Sequence, residues 1–571
     1  VLKGRHVTPR IAPYGTWQSP IAADVVARQS GRPGWVGVVG DEVWWTHARP
    51  TEGGRVELLR QSADGNISAV LPAPWNVRTR VIEYGGKAWC AAAGESPVVV
   101  FAHWDDQRLY RSTVDSSGPA PLTPLPERPA GLRYVDPVIV GDEVWCVREV
   151  HHSMEPTDVT RQLVAVPMSG AAASDAAAVR VLAASHHFVT GPRIAPGGRR
   201  VAWLGWNHPD MPWDATDLCV AAVRSDGTLG AHRVVAGGPD ESIVQVEWLD
   251  DDTLVFVGDT TGWWNPYRIR HDGTDRENLL PGEEEFGGAI WQLGTRWLAP
   301  LADGRIAMVH GRAATTLSIV DPRLGTLAAT PGPYTEWAPT LAASGTTLVA
   351  VGAAAKVPYE VVRIDTRDHT VEAVSVDHRQ LDLPDPAWLP EHEFVTCEGA
   401  GGRDIHAQVY APTNPGFAAP DGELPPYLVF VHGGPTSRAV AVYDLEIAYF
   451  TSRGIGVVEV NYGGSTGHGR EYRNRLRDNW GLVDVEDCAT VARALAANGI
   501  ADPERIAIRG GSAGGWTAGA SLTGTAPGAD IYRCGAIYYP ILDLAGWRTG
   551  ETHDFESRYL DGLVGPWPET E

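Results

Sequence analysis

One serine framed by glycines offers the chemistry: Arg505-Ile-Ala-Ile-Arg-Gly-Gly-Ser512-Ala-Gly-Gly-Trp516. Ile506, Ala507 and Ile508 read as a buried parallel strand, Gly510 and Gly511 allow a sharp turn, and Ala513 onward reads as a helix of small residues. Gly-x-Ser-x-Gly between a strand and a helix makes a nucleophile elbow. A Cβ at Gly510 or Gly514 would strike adjoining backbone, and Ser512 Oγ projects at a helix N-terminus that favours developing negative charge. The competing reading is a Gly/Ser-rich turn that only caps a helix. Attack on a carbonyl creates an oxyanion, which needs two preorganised N–H donors. The N–H of Ala513, directly after the nucleophile, is one candidate. His432-Gly433-Gly434-Pro435 supplies the other, Gly434 in preference to Gly433, because a loop without side chains lets its backbone approach a substrate. Standing alone that stretch would be a plain Gly-Pro turn. Its place one strand–helix unit ahead of another such unit and then the elbow argues for the oxyanion loop.

These residues need a sheet to hold them. Phe394–Glu398 and Asp404–Ala411 read as a hairpin, and after Pro425 and Pro426 strands and helices alternate. The order is a strand Tyr427–His432, a helical stretch through Tyr443, Ile447 and Phe450, and a strand Gly456–Asn461. A helix follows with Val485, Cys488, Ala489, Ala492, Leu495 and Ala496 on one face, stopping at Gly499; then come the elbow strand and a strand Cys534–Pro540. This predicts a doubly wound, mostly parallel α/β-hydrolase domain over 394–571, with its site at the strands' carboxyl ends.

Residues 31–380 show almost no amphipathic helix pattern. Short alternating runs rich in Val, Trp, Ile and Leu, cut by Gly, Asp and Pro turns, recur roughly every 45–50 residues, the spacing of propeller blades. The units lie at Gly40–Trp45, Glu83–Trp89, Gly141–Trp145, Ala195–Trp203, Asp250–Phe256, Ala302–Ala307 and Ala343–Val349. They predict an all-β seven-bladed β-propeller, with a pair of β-sandwiches as the alternative. Most of the 22 tryptophans are then blade packing. A Pro-rich linker is expected over 381–393, and residues 1–30 read as an N-terminal extension on the hydrolase domain. Three stretches interrupt the blades: His151–Glu155, Trp206–Asp214 and Gly262–Tyr267. Each reads equally as a functional loop or as blade packing. His151 and His152 lack a third ligand at helical spacing, so no metal is expected.

At 571 residues the chain exceeds one hydrophobic core. A net charge of −23 without any Lys/Arg block argues against nucleic acid and against anionic membrane as partners. The six cysteines are scattered and fit a reducing cytoplasm, and there is neither a signal-type apolar region near Val1–His6 nor a run long enough to span a membrane. A leader ahead of Val1 and a homo-oligomer are both left open.

In combination, His432-Gly-Gly-Pro435, Asn461-Tyr-Gly-Gly-Ser-Thr-Gly-His-Gly-Arg470, Trp480-Gly-Leu-Val-Asp-Val-Glu-Asp487 and Gly510-Gly-Ser-Ala-Gly-Gly515 resemble the prolyl oligopeptidase family of serine peptidases. Within it the likeness is to acylaminoacyl-peptidase and dipeptidyl-aminopeptidase-like bacterial members. The resemblance extends over nearly the whole chain, since that family joins an N-terminal propeller to a C-terminal α/β-hydrolase, and it departs at His468, where tyrosine is expected. It implies a serine exopeptidase that hydrolyses short peptides or aminoacyl amides through an acyl-enzyme on Ser512, without a cofactor, the propeller restricting access. An esterase or amidase inactivating an amino-acid-containing small molecule is one alternative, and a catalytically dead propeller interaction protein is another. The triad order is Ser, then Asp or Glu, then His. After Ser512 the acids include Asp530, Asp543, Asp554 and Asp561, and the only histidine is His553. His553 lies in a charged, loop-like stretch and is a poor general base by position, so the triad Asp and His are expected beyond Glu571. Glu83, in an apolar strand start followed by glycines, is the candidate carboxylate for a substrate's free N-terminus; the alternative pairs it with Arg78 or Arg80.

Overall fold

Every blade-forming segment is a contiguous piece of chain folded into its own antiparallel sheet. The computed structural model describes residues 9–27, 31–114, 118–374, 384–524, 530–566 and 568. Val1–His6, part of the expected linker (381–383) and the last residues Glu569–Glu571 lie outside the described residues. Seven sheets of four or five strands run in order through 33–69, 89–121, 132–183, 188–238, 243–278, 298–329 and 336–373, the seven-bladed propeller the periodicity predicts. Inner strands such as Thr253–Gly258 are buried along nearly their whole length because each blade packs a neighbour on either face. Trp44 of the first blade stacks on Trp89 of the second, with ring centroids 6.0 Å apart. Among the described residues the first and last blades share no sheet; Val36, Val43 and Trp45 pack on Val349, Val351 and Val361 instead.

Between the fifth and sixth blades the chain does not pass straight to the next strand. Leu293 donates its N–H to Gly85 O (3.1 Å) and accepts from Lys87 N–H (2.9 Å), both at the entry to the second blade. A Cβ on Gly86 would lie 2.1 Å from Leu293 O, so only glycine lets the two strands of backbone meet. Blades two and six are not neighbours in the ring, so this segment crosses the propeller axis.

The sheet of the hydrolase domain has six strands in the order His392–Glu398, Asp404–Tyr410, Gly456–Asn461, Tyr427–Val431, Ile506–Gly511 and Cys534–Tyr538. The last four are mutually parallel and the first two antiparallel. The helical stretch drawn through Tyr443 begins later, at Leu445, because the Asp444 carboxylate accepts from the N–H groups of Glu446 (2.6 Å) and Ile447 (3.2 Å) and caps the helix there. Residues ahead of the propeller also pack on this domain. Arg10–Ile11 pairs with Phe417–Ala418, Trp17 stacks on Phe417, and Ile21 is buried with Leu389, Tyr443 and Leu445. No helix among the described residues is long and apolar enough to cross a membrane.

Charged side chains join the two domains. Propeller Asp259, fully buried, accepts from Arg470 (2.8 Å) and Arg473 (2.6 Å); Asp214 pairs with Arg477 (2.7 Å) and Glu336 with Arg438 (2.7 Å). Elsewhere the signs reverse: Asp554 of the hydrolase domain accepts from Arg161 (2.6 Å) and His187 (2.8 Å) of the propeller, and Glu556 accepts from the Tyr84 hydroxyl (2.8 Å).

Candidate active site

Ser512 sits where the elbow strand turns into the helix Ala513–Thr523, with φ 55° and ψ −122°, a left-handed conformation rare for a side-chain-bearing residue. The glycines are required. A Cβ on Gly510 would lie 2.1 Å from Gly514 O, and one on Gly514 would lie 2.3 Å from Val431 O. The Ser512 N–H donates to Tyr538 O (3.0 Å), and its carbonyl accepts from Gly515 and Trp516, which starts the helix. Beneath, buried Asp484 accepts from the Thr517 hydroxyl and from Gly481 N–H (2.6 Å), fixing the elbow helix to the helix Val483–Ala497; burial raises the Asp484 carboxyl to about 6.

The loop after Tyr427–Val431 passes beside the serine: a Cβ on Gly433 would lie 3.2 Å from Gly511 O and 3.5 Å from Ser512 Cβ. His432 shapes this loop from below. Its ring stacks on Tyr462 at 4.4 Å, Nε2 pairs with Ser465 Oγ (2.8 Å), Nδ1 pairs with Gly433 O (2.8 Å), and burial lowers its pKa to about 4, leaving a neutral imidazole. Gly434 has φ 120°, a conformation open to glycine. The N–H groups of Gly434 and Ala513 donate to no acceptor among the described residues. Thr436, two residues on, is held at every polar atom. Its carbonyl accepts from Trp291 Nε1 (2.7 Å), its N–H donates to the Tyr559 hydroxyl (3.2 Å), and its Oγ1 shares a hydrogen bond with that hydroxyl (2.6 Å).

Glu83 lies on the propeller's domain-facing side, and both it and Ile82 have positive φ. Its carboxylate accepts from Arg133 Nη1 (2.5 Å), with Arg80 at 3.7 Å, while Arg78 stacks on Trp104. The near partner is thus Arg133, fifty positions along the chain; Arg80 also pairs with Glu83 at the longer distance, and Arg78 turns to Trp104 instead. Arg133 and Arg161 converge on Glu149; burial pushes that carboxyl up, but Arg161, His151 and Arg133 outweigh it and hold it at about 2. His553 pairs with Glu556 (3.1 Å) and packs on the Tyr84 ring, and no hydrogen bond joins it to Ser512. His151 pairs with Glu149, and His152 with Thr160. His187, His208 and Asp554 gather within 4.8 Å, a spacing that could hold a cation. The Arg161 guanidinium already contacts Asp554 at 2.6 Å and supplies the positive charge a metal ion would bring.

With this geometry in view the relatives can be placed. Residues 441–571 match the profile of the prolyl oligopeptidase family. A crystal structure of puromycin hydrolase is 52% identical, covers 98% of this chain and is itself covered over 85% of its length, with a TM-score of 0.94. The chain belongs to the prolyl oligopeptidase family. A puromycin-hydrolyzing peptidase of Mycobacterium tuberculosis is 48% identical with the same coverage and TM-score. The acylamino-acid-releasing enzyme of Arabidopsis thaliana is 34% identical over 150 residues, 25% of this chain and 19% of that enzyme. The chain spans about a fifth or less of the length of the first curated relatives it matches.

For this member of the family, the elements bring Ser512, Ala513, Gly433 and Gly434 together at the ends of two adjacent parallel strands. Glu83 belongs to a different cluster, built around Arg133 and Glu149. Trp291, Thr436 and Tyr559 escaped the sequence reading. The signal for Trp291 was the stretch between Leu280 and Trp297, too long and glycine-rich for a blade turn. The interruptions Trp206–Asp214 and Gly262–Tyr267 both face the hydrolase domain. Asp214 pairs with Arg477, and Gly262 O accepts from Arg470 N–H.

Proposed function

We propose that this chain carries the nucleophile and oxyanion hole of a serine exopeptidase acting on short peptides or aminoacyl amides. The carrying observation is the strained Ser512 elbow beside two N–H groups, of Ala513 and Gly434, that are not otherwise engaged. In the proposed reaction Ser512 Oγ attacks the scissile carbonyl carbon and its proton passes to a base. The carbonyl oxygen becomes an oxyanion held by Ala513 N–H and Gly434 N–H, with Gly433 adjoining. Collapse expels the amine, which takes up the proton, and water then releases the acid from the acyl-enzyme. The triad histidine and acid are not assigned to any described residue. A second reading, an amidase inactivating an amino-acid-containing small molecule, is favoured by relatives named for hydrolysing puromycin at 52% and 48% identity.

Ser512→Ala in the full-length protein is expected to lower turnover by roughly four orders of magnitude or more while leaving the melting midpoint unchanged. Retained peptidase activity, or no labelling of Ser512 by an active-site serine probe, removes the assignment. For substrate polarity, Glu83 is proposed to receive a free ammonium in competition with Arg133. Glu83→Gln should then weaken binding of a free-amine peptide and spare its N-acetylated twin; equal effects on both leave Glu83 a partner of Arg133 alone.

A further inference from the structure

The segment that crosses the propeller axis also reaches the catalytic loop. Leu293 is tied to Gly85 and Lys87 by two backbone hydrogen bonds, and Gln292 Nε2 donates to Tyr84 O (2.9 Å). These contacts fix the neighbouring Trp291. Its ring packs on Trp213 (4.5 Å) and Tyr84 (5.1 Å), with Tyr559 and Phe555 each 6.1 Å away, and its Nε1 donates to Thr436 O at 2.7 Å. Tyr559, the hydroxyl that holds the N–H and Oγ1 of Thr436, belongs to the same aromatic cluster and packs on Trp213 at 5.4 Å. Only Pro435 separates Thr436 from Gly434, whose φ of 120° and lack of a side chain leave its orientation to its neighbours. An oxyanion donor misdirected by a fraction of an ångström loses most of its worth, because stabilisation depends on donors already aimed where charge develops.

We propose that Trp291 is a positioning residue: the propeller, through the indole N–H of its axis-crossing segment, holds Thr436 so that the Gly434 N–H is aimed at the oxyanion. The inference rests on the acyl-transfer reading above and makes the propeller part of the catalytic apparatus, in addition to any role in admitting substrates. A propeller displaced from the hydrolase domain would withdraw this hydrogen bond, so the oxyanion loop is fully ordered only in the docked state.

The test uses the full-length protein with Trp291→Phe, which keeps an aromatic ring and removes the N–H. The expected result is a kcat lower by roughly ten- to hundred-fold with KM unchanged. Affinity for a peptide boronate, which forms a tetrahedral adduct on the serine, should fall by a similar factor, while affinity for an unreactive substrate analogue stays the same. Tyr559→Phe, which removes the other support of Thr436, should give the same kcat-only signature and serves if Trp291→Phe does not fold. A kcat within twofold of wild type in whichever variant folds, or a parallel loss of boronate and analogue affinity, overturns the proposal. Ser512→Ala separates the two levels: if it abolishes turnover while Trp291→Phe is unaffected, the positioning role fails and the peptidase reading stands. If Ser512→Ala stays active, the underlying reading fails.

Discussion

The two charged sides of the interdomain contact are built with opposite polarity. On one, the acids Asp214, Asp259 and Glu336 belong to the propeller and arginines to the hydrolase domain. On the other, Asp554 and Glu556 belong to the hydrolase domain and their donors, Arg161, His187, His208 and Tyr84, to the propeller. A propeller rotated on its seat would set like charges together, so the reversal specifies a single docking angle. The sides also differ in chemistry. Guanidinium groups stay charged throughout the working pH range, whereas the second side combines Arg161 with imidazoles and a buried aspartate, Asp554, whose ionisation folding has altered. Burial would raise the Asp554 carboxyl, yet hydrogen bonds from His187 and His208 and the charge of Arg161 bring it well below the usual range.

The largest effect is expected where the arginine side is most buried. Asp259→Ala leaves Arg473 desolvated without its main partner and should cost about 3–5 kcal/mol, read from chemical denaturation. A cost under 1 kcal/mol would show that the arginine side does not secure the domains. Next, pH should act behind the second side, where Glu149, within the propeller, holds Arg161, the donor to Asp554. Glu149 binds its proton less readily folded, at about 2, than unfolded, at about 4.3, so it stabilises the fold above pH 5 and this contribution is lost as pH falls toward 2. Glu149→Gln should therefore cost roughly 3 kcal/mol at pH 6, with wild type and variant converging near pH 2 in a melting series. A gap independent of pH would remove ionisation from the account of how Glu149 supports Arg161. The smallest change is expected at the edge of the arginine side: Arg477, 44% exposed and paired with Asp214, should cost about 1 kcal/mol or less when replaced by alanine.

These partnerships were the part of the molecule hidden in the sequence. The elbow could be read because Gly510, Ser512 and Gly514 obey a local steric rule, and the seven blades because strand and turn recur at a regular interval. Asp554 finds His187 across 367 positions and Glu83 finds Arg133 across 50. Neither distance leaves a periodicity; nearness along the chain pointed to Arg80, which does pair with Glu83 at 3.7 Å, and missed the shorter contact from Arg133. Trp291 was passed over for a related reason, since one tryptophan among 22 has no local mark that its indole serves a loop 145 residues away.

Arg10–Ile11, hydrogen-bonded to Phe417–Ala418, moors the propeller's leading end to the same body that its trailing end enters along the chain. Were both charged sides to let go, the propeller would still be a closed loop tethered at each end, and re-docking would be intramolecular, at an effective concentration on the order of millimolar. Separation is then a local and reversible excursion whose entropy gain is limited by the two connections. Cutting either connector alone would enlarge that excursion without freeing the propeller, and the second mooring would bring it back to the same seat.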